Sequence, residues 1–587
     1  MHIQRERTRR SGTSESRWKG PRRLLTSLAA FSLLILAGCG AATSGASTSV
    51  SHPNALTIAL SPQSQPNWWA PVVPATSCGT ISGGIGGSMW EYMPLLWINS
   101  RDQIDYGQSI ASSITHNAAG TQFVIHLKTS WKWSNGQPVT AQDVVYDYQL
   151  EAAASSSSSP FPYCFAGEGG MPTLWKSVTA TGPDTVTIDT TKPLNANWFE
   201  LNGIAQLIPI PHTLWDRYSN MTQELNWIKS ISNSPMNAIY QVTDAAYIIK
   251  KAVSDQYYEV VANPHYSGSP KPHIKTVVYD YETSASSIFA ALKKGAVQLA
   301  PYSTSLWSAR GQLKNDTIIS EPLFGYFYMP INFASNAPGE ALLSQLYFRQ
   351  ALQYGIDQPG IVSAIYHGLA NPTYGPAPTI DDAYYYKGMG NLYPYNPRAG
   401  LRLMKQHGWT MGPNGYLTKG GHTAAFTLLY ATGSASFQDM AQLMKADWAK
   451  EGIDCSLKAI GGNTFGGIVG NPKDSNQWQV AGGYGWIYVP DYYPTGDGLF
   501  NGPGGFNVGD YNNPHENQLV AETLKPGTPA QVRKIFDQYQ YYTFQQLPVL
   551  YVPTPTGLTA IASNVGGFRS GYDVVFGETN LQNLYWK

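Results

Sequence analysis

The chain has 587 residues, enough for two or three separate cores. Its 38 basic and 38 acidic residues balance, but eight of the former and two of the latter lie in the first 38 positions, leaving 30 against 36, a net of −6. No basic patch or stripe remains for nucleic acid, whereas 38 Tyr and 17 Trp supply polar-tipped rings that pack cores and also line recognition surfaces.

The chain opens on a cationic run from Arg5 to Arg23, followed by an apolar segment, Leu24 to Ala37. That segment is short of the roughly 20 residues a spanning helix needs. A charged start, a short apolar middle and small residues before a cut read as a secretory signal over residues 1–38. Leu36-Ala37-Gly38-Cys39 resembles the bacterial lipobox, whose thiol is diacylated, so Cys39 is the expected lipidation site; the competing reading is a poorly formed membrane helix. Arg22-Arg23 leaves the general secretory and twin-arginine routes both open. Residues 39–53 carry little to bury and read as a flexible tether.

Structure is expected from Asn54, with a first strand over Ala55 to Leu60 and a Pro- and Trp-rich loop holding Trp68 and Trp69. Gln122 to Lys128 and Thr185 to Asp189 alternate as half-buried strands. Between them Thr140 to Asp143 has the spacing of a capping box opening a helix. Tyr257 to Ala262 and Lys275 to Tyr281 are further strands, and a helix from Ser286 stops at Gly295. Phe327 to Phe333 reads as a strand and Leu343 to Tyr354 as a helix. Asn396-Pro397 starts another helix, stopped at Gly408 with Trp409 placed for a Schellman contact. From Ala425 the pattern is β-α-β: Phe426 to Tyr430, a helix with Met440, Leu443, Met444 and Trp448 on its core stripe, and Cys455 to Ile460. Thr528 to Gln531 opens a last long helix, and Leu547 to Val552 a last long strand. Alternating strands and helices argue for α/β domains.

Four cysteines are present. With Cys39 at the lipobox, Cys78 and Cys164 fall in Gly- and Pro-rich loops and could be bridged in an oxidising compartment, or all three others could be buried thiols. The chemical search is largely negative: no P-loop, dinucleotide fingerprint, zinc helix, paired-cysteine or nucleophile-elbow motif occurs, so no catalytic residue, metal or cofactor is expected.

Several segments, in order, resemble the family 5 extracellular solute-binding proteins, the oligopeptide- and dipeptide-binding class of ABC importers. Trp90-Glu-Tyr-Met-Pro-Leu95 looks like that family's early helix. Phe123 to Lys128, Trp133 to Gly136 and Pro138 to Val144 are similar to its most recognisable run. Asn263 to Tyr266, Leu292 to Gly295, Phe348 to Leu352 with Gly355 to Asp357, and Asn396-Pro397 ahead of Gly408-Trp409 follow in the family's order.

The resemblance implies a two-lobed α/β periplasmic-binding-protein-like fold of the large, three-subdomain type, with a hinged cleft. Lobe I would comprise residues 54–88, an inserted subdomain over 89–190, residues 191–332 and a return over 547–587; lobe II would span 333–546. The crossings near Phe327–Phe333 and Leu547–Thr554 would be the hinges. The function implied is capture of a short peptide by a lipid-anchored monomer outside the cell and delivery to ABC permease subunits. Oligosaccharide binding, a sensing role and, least favoured, hydrolysis are the alternatives.

Gly485-Trp486 resembles the family's ligand-facing loop, in which peptide binders place an Asp three residues after the Trp to hold the peptide's α-ammonium. Here that position is Val489, and the acid is Asp491. Asp491 either takes that role or caps a Pro-rich turn. Tyr484, Trp486 and Tyr488 would share one face of a strand, as a ligand wall or as core. Trp68 and Trp69 are the lobe I candidates.

Overall fold

The computed structural model describes residues 54–60, 66–77, 92–381, 383–488, 491–502, 506–575 and 577–587. The signal, Cys39, the tether and Cys78 lie outside them. The largest sheet has seven strands, in the order Asp316–Glu321, Gly557–Ala562, Leu299–Pro301, Leu56–Leu60, Thr276–Tyr281, Tyr257–Ala262, Tyr247–Val253. Leu56–Leu60 is buried at every position and runs parallel to both neighbours, which is why it reads as an unbroken apolar run. The remaining pairings in this sheet are antiparallel.

A second, four-stranded antiparallel sheet joins Ala111–His116, Gln122–Leu127, Thr185–Thr190 and Trp175–Gly182. Helix Ala141–Ala154 covers it, starting from the expected capping box, and Tyr148 stacks on Trp175 at 5.3 Å. The β-α-β unit is present as strands Ala425–Ala431 and Asp454–Ile460 around helix Ala435–Lys450, with Val480–Gly482 as a third parallel strand. Met440, Met444 and Trp448 are buried, Leu443 is half-buried, and Trp448 packs on Phe426 at 5.1 Å. Helix Pro397–Gln406 ends as expected, with Gly408 at φ 85° and the Trp409 amide donating to the Met404 carbonyl. Among the described residues no helix is long and apolar enough to cross a membrane.

Two chain segments connect the seven-stranded sheet to the parallel one, and they run side by side. Gly325–Pro330 follows Asp316–Glu321 and leads to Ile331, which bridges Val480; Val549–Val552 leads back to Gly557–Ala562. The two segments pair antiparallel, Phe327 opposite Val552 through Pro330 opposite Val549. The expected last long strand is therefore a four-residue crossing strand, and Gly557–Ala562, not anticipated, is the strand that completes the large sheet.

Arg349 anchors this ribbon. Its buried guanidinium donates to the carbonyl oxygens of Leu343, Ser344, Gln546 and Leu547 at 2.7–3.2 Å. The expected helix Leu343 to Tyr354 is broken into Glu340–Leu343 and Leu346–Tyr354, and Arg349 takes the carbonyls that the break leaves free. Gln353 exchanges both amide bonds with the Tyr551 backbone. Burial lowers the Arg349 pKa to about 10, still far above neutrality. Cys164 is buried and disulfide-bonded, and Cys455 is a buried free thiol. Because lysine offers a point charge in place of a planar fork, Arg349→Lys is expected to lower stability by about 2–3 kcal/mol, read from denaturant unfolding.

Candidate functional site

Parallel strands from both sheets end at one cavity. Leu299–Pro301 runs into Tyr302, Ser303 and Thr304; Ala425–Ala431 runs into Thr432, Ser434 and Ser436; Val480–Gly482 runs into Gly483. The carboxyl ends of parallel strands are where α/β sheets leave room for ligands. The space between these ends is about 340 Å³ and is lined besides by Phe327, Tyr366, Phe437 and Thr556. Hydroxyls and rings dominate, and no charged side chain lines it. Thr304 and Ser436 meet across it, hydroxyl to hydroxyl at 2.9 Å. A Cβ at Gly482 would overlap the Phe437 ring, so glycine is needed there for close approach.

Immediately downstream, Tyr484–Ile487 pairs antiparallel with Gly325–Pro330 on one side. Its other edge has no strand partner among the described residues. The expected alternation is present: Trp486 and Tyr488 are buried and Tyr484 half-buried, while Gly485 and Ile487 face out. Trp486 packs on Phe506 at 4.8 Å, Tyr484 on Phe465 at 5.7 Å, and Tyr488 on Phe324 at 5.7 Å, its hydroxyl donating to the Pro376 carbonyl. The side chains thus fill an aromatic cluster beside the cavity, and the cavity wall itself begins two residues earlier, at Gly482 and Gly483. Trp68 lies edge-on to Phe161 at 5.1 Å and Trp69 edge-on to Tyr258 at 5.3 Å; both are buried in the main core and neither lines the cavity.

Asp491 is buried, and one of its oxygens accepts from the Asn202 side-chain amide rather than from a turn N–H. Asn202 also donates to the Tyr493 carbonyl at 2.8 Å and accepts from the Tyr493 amide at 2.7 Å. Oxygens of Glu168, Asp491 and Asp497 all lie within 4.8 Å of one another. Burial, then repulsion from Asp497 and Glu168, holds the Asp491 carboxyl well above the usual range; burial and Asp497 do the same to Glu168. Burial also raises Asp497.

The family model of bacterial extracellular solute-binding proteins, family 5, middle region, matches residues 106–507. The chain belongs to this family. Among its curated relatives are the oligopeptide-binding protein AppA of Bacillus subtilis, 21% identical over 80% of this chain and 82% of the relative, and heme-binding protein A of Haemophilus influenzae, 22% identical over 81% and 84%. The fold matches that of AppA from Bacillus subtilis in complex with a nonapeptide, at a TM-score of 0.74 and 18% identity over 91% of this chain and 98% of that one. It also matches NikZ from Campylobacter jejuni in complex with Ni(L-His), at 0.72 and 18% over 91% and 99%. These neighbours share the two-lobed fold and hold unlike ligands.

In this family 5 protein, then, the sequence candidates Asp491, Tyr484, Trp486 and Tyr488 do not line the cavity, and neither the cavity residues nor the acids beside Asp491 were among the candidates. The run Thr432-Gly-Ser-Ala-Ser436, after an apolar strand and before a helix, was a usable signal for the cavity. Glu168 and Asp497 carried none, being more than 300 positions apart in separate loops.

Buried carboxyls whose pKa is raised on folding keep protons that the unfolded chain releases near pH 4, so they favour the folded state at low pH and lose that effect as pH rises through the folded values. Those values are about 7 for Asp244 and about 8 for Glu151 and Glu516, with burial the main cause for each. The ligand-free protein is expected to melt at a lower temperature at pH 8 than at pH 5, and Asp491→Asn to reduce that difference, as calorimetry across the pH series would show.

Proposed function

We propose that this protein captures a short peptide in the interlobe cleft and delivers it to an ABC-type importer, tethered at the outer face of the membrane by a lipid on Cys39. The observation that carries the reading is the unpartnered edge of Tyr484–Ile487 lying next to the cavity at the strand ends. An extended peptide can add to such an edge through its backbone, whatever its side chains, while an uncharged cavity accommodates a residue of varied type. Asp491 would then hold the α-ammonium. The nonapeptide-bound AppA is the neighbour in keeping with this reading.

In this proposal lobe I spans residues 54–332 and 547–587, with residues 89–190 as its inserted subdomain, and lobe II spans 333–546. Trp486, Tyr484 and Tyr488 back the strand that receives the peptide. Trp68 and Trp69 support the loop after Leu56–Leu60 from behind. Cys78 would be the partner of Cys164. The reading is of binding without turnover.

The mixture of hydroxyls and rings in the cavity favours a second reading, an oligosaccharide ligand. Di- to pentapeptides are expected to raise the melting temperature, by the equivalent of about 2.7 kcal/mol at a hundredfold excess over Kd; stabilisation by oligosaccharides alone would replace the peptide reading. Peptides methylated at alternate backbone nitrogens should bind about tenfold weaker, since each lost backbone bond costs about 1 kcal/mol and the methyl group clashes. Cys39→Ser should move the protein from the detergent phase to the aqueous phase on detergent partitioning of expressing cells.

A further inference from the structure

The chain enters the seven-stranded sheet at one particular end. Leu56–Leu60 runs parallel to Thr276–Tyr281 and Leu299–Pro301, so its start lies beside theirs. The antiparallel registers bring the end of Tyr257–Ala262, the end of Gly557–Ala562 and the start of Asp316–Glu321 to the same place. The cavity lies at the other ends of these strands, beyond Pro301.

Lysines gather at the entry end. Lys271 and Lys275 precede Thr276–Tyr281, Lys293 and Lys294 close the helix that leads into Leu299–Pro301, and Lys314 stands just ahead of Asp316–Glu321. All are exposed. Lys271 and Lys275 donate to the carbonyl oxygens of Tyr266 and Pro272, and Lys293 to the Gln312 side-chain oxygen. No ion pair among the described residues engages any of these lysines. The acids in the turns at this end are Asp244, fully buried, and Asp316, half-buried. The opposite strand ends carry Asp255, Asp280, Glu282 and Glu321 beside Lys251 and Arg569. Two rings complete the lysine-rich face. Val565, shortly past Gly557–Ala562, pairs with Trp586, and the Tyr585 ring stands edge-on to His273, between Lys271 and Lys275 in the chain, at 6.3 Å. Tyr585 is 45% and Trp586 40% exposed.

Lysines without counter-charges gain from anionic headgroups within a Debye length, about 8 Å in physiological salt. Trp and Tyr settle at headgroup level, apolar body inward and polar tip in water. What favours a bilayer over a protein partner is the point of entry. Resting on the lipid at Cys39 proposed above, a coil of the length from Gly40 to Pro53 keeps Asn54 on the order of 20 Å from the membrane. We propose that this end of the seven-stranded sheet makes a second, reversible contact with anionic lipid headgroups. The cavity, at the far ends of the same strands, is then held away from the bilayer.

The test leaves the lipid out, so it stands apart from the detergent partitioning that decides the anchor. Every described element follows residue 53, so the chain from residue 39 onward with Cys39→Ser retains the whole described fold. This parent chain is sedimented with vesicles of phosphatidylcholine alone and of phosphatidylcholine mixed with phosphatidylglycerol. At about 0.1 M salt, partitioning into the mixed vesicles is expected to be at least about tenfold stronger, and at about 1 M the difference should vanish. Lys275→Gln, Lys294→Gln and Lys314→Gln together should weaken it at least about tenfold. Lys405→Gln, Lys445→Gln and Lys473→Gln, the same change in net charge elsewhere on the surface, should leave it intact. Equal partitioning of the parent chain into both vesicles, or an equal loss in the two triple variants, would overturn the proposal. Binding to neither vesicle would overturn it too and leave the face to a protein partner. The parent comparison decides the matter even where a variant does not fold.

Discussion

The antiparallel pairing of Gly325–Pro330 with Val549–Val552 is the constraint on which the rest of the molecule depends. These strands are the two connections that join the seven-stranded sheet to the parallel one, and pairing makes them a single ribbon. Neither can shift alone without giving up ladder hydrogen bonds, so any rotation of one sheet against the other must twist the ribbon or bend it at its ends. Arg349 and Gln353 clamp one end to helix Leu346–Tyr354 through backbone carbonyls and amides. Tyr484–Ile487 rides on the same ribbon. A Cβ at Gly325 would overlap the Trp486 carbonyl oxygen, and this close approach is what lets the third strand lie there. The edge proposed to receive the ligand is thus built directly onto the ribbon.

The interior beside this edge is organised against its own stability. Carboxyls and tyrosine hydroxyls are buried together, several with no hydrogen-bond partner, at positions where apolar groups of like size would pack without penalty. Perturbed, unpaired groups of this kind gather where a protein binds or reacts. Other buried acids are better served: Asp244 accepts from the Met93 amide and the Trp131 indole, and Asp147 from the Ile208 amide, although both oxygens of buried Glu451 lack a partner as well.

Local signals carried most of the elements. The capping boxes at Thr140 and Thr528, the Asn396-Pro397 start and Gly295, at φ 69° closing helix Ala285–Lys294, depend on neighbours within a few residues, and a sequence displays them. Ala111–His116 and Asp316–Glu321 carry little apolar alternation and become strands because a partner is waiting; Gly557–Ala562 is defined by its place between two other strands. The ordered motif set identified the family, whose model matches residues 106–507. The acidic cluster was out of reach for a different reason: Glu168, Asp491 and Asp497 are brought together by topology alone.

The large sheet draws on stretches as far apart as Leu56–Leu60, Tyr247–Val253 and Gly557–Ala562. A chain emerging N-terminus first cannot finish this sheet until Gly557–Ala562 is out. Until then Asp316–Glu321 and Leu299–Pro301 lack the strand that lies between them. Non-local pairing of this kind folds slowly and leaves sticky β-edges open meanwhile. The four-stranded sheet and the β-α-β unit, made of near neighbours, can form early, so assembly ends with the strand that completes the seven-stranded sheet.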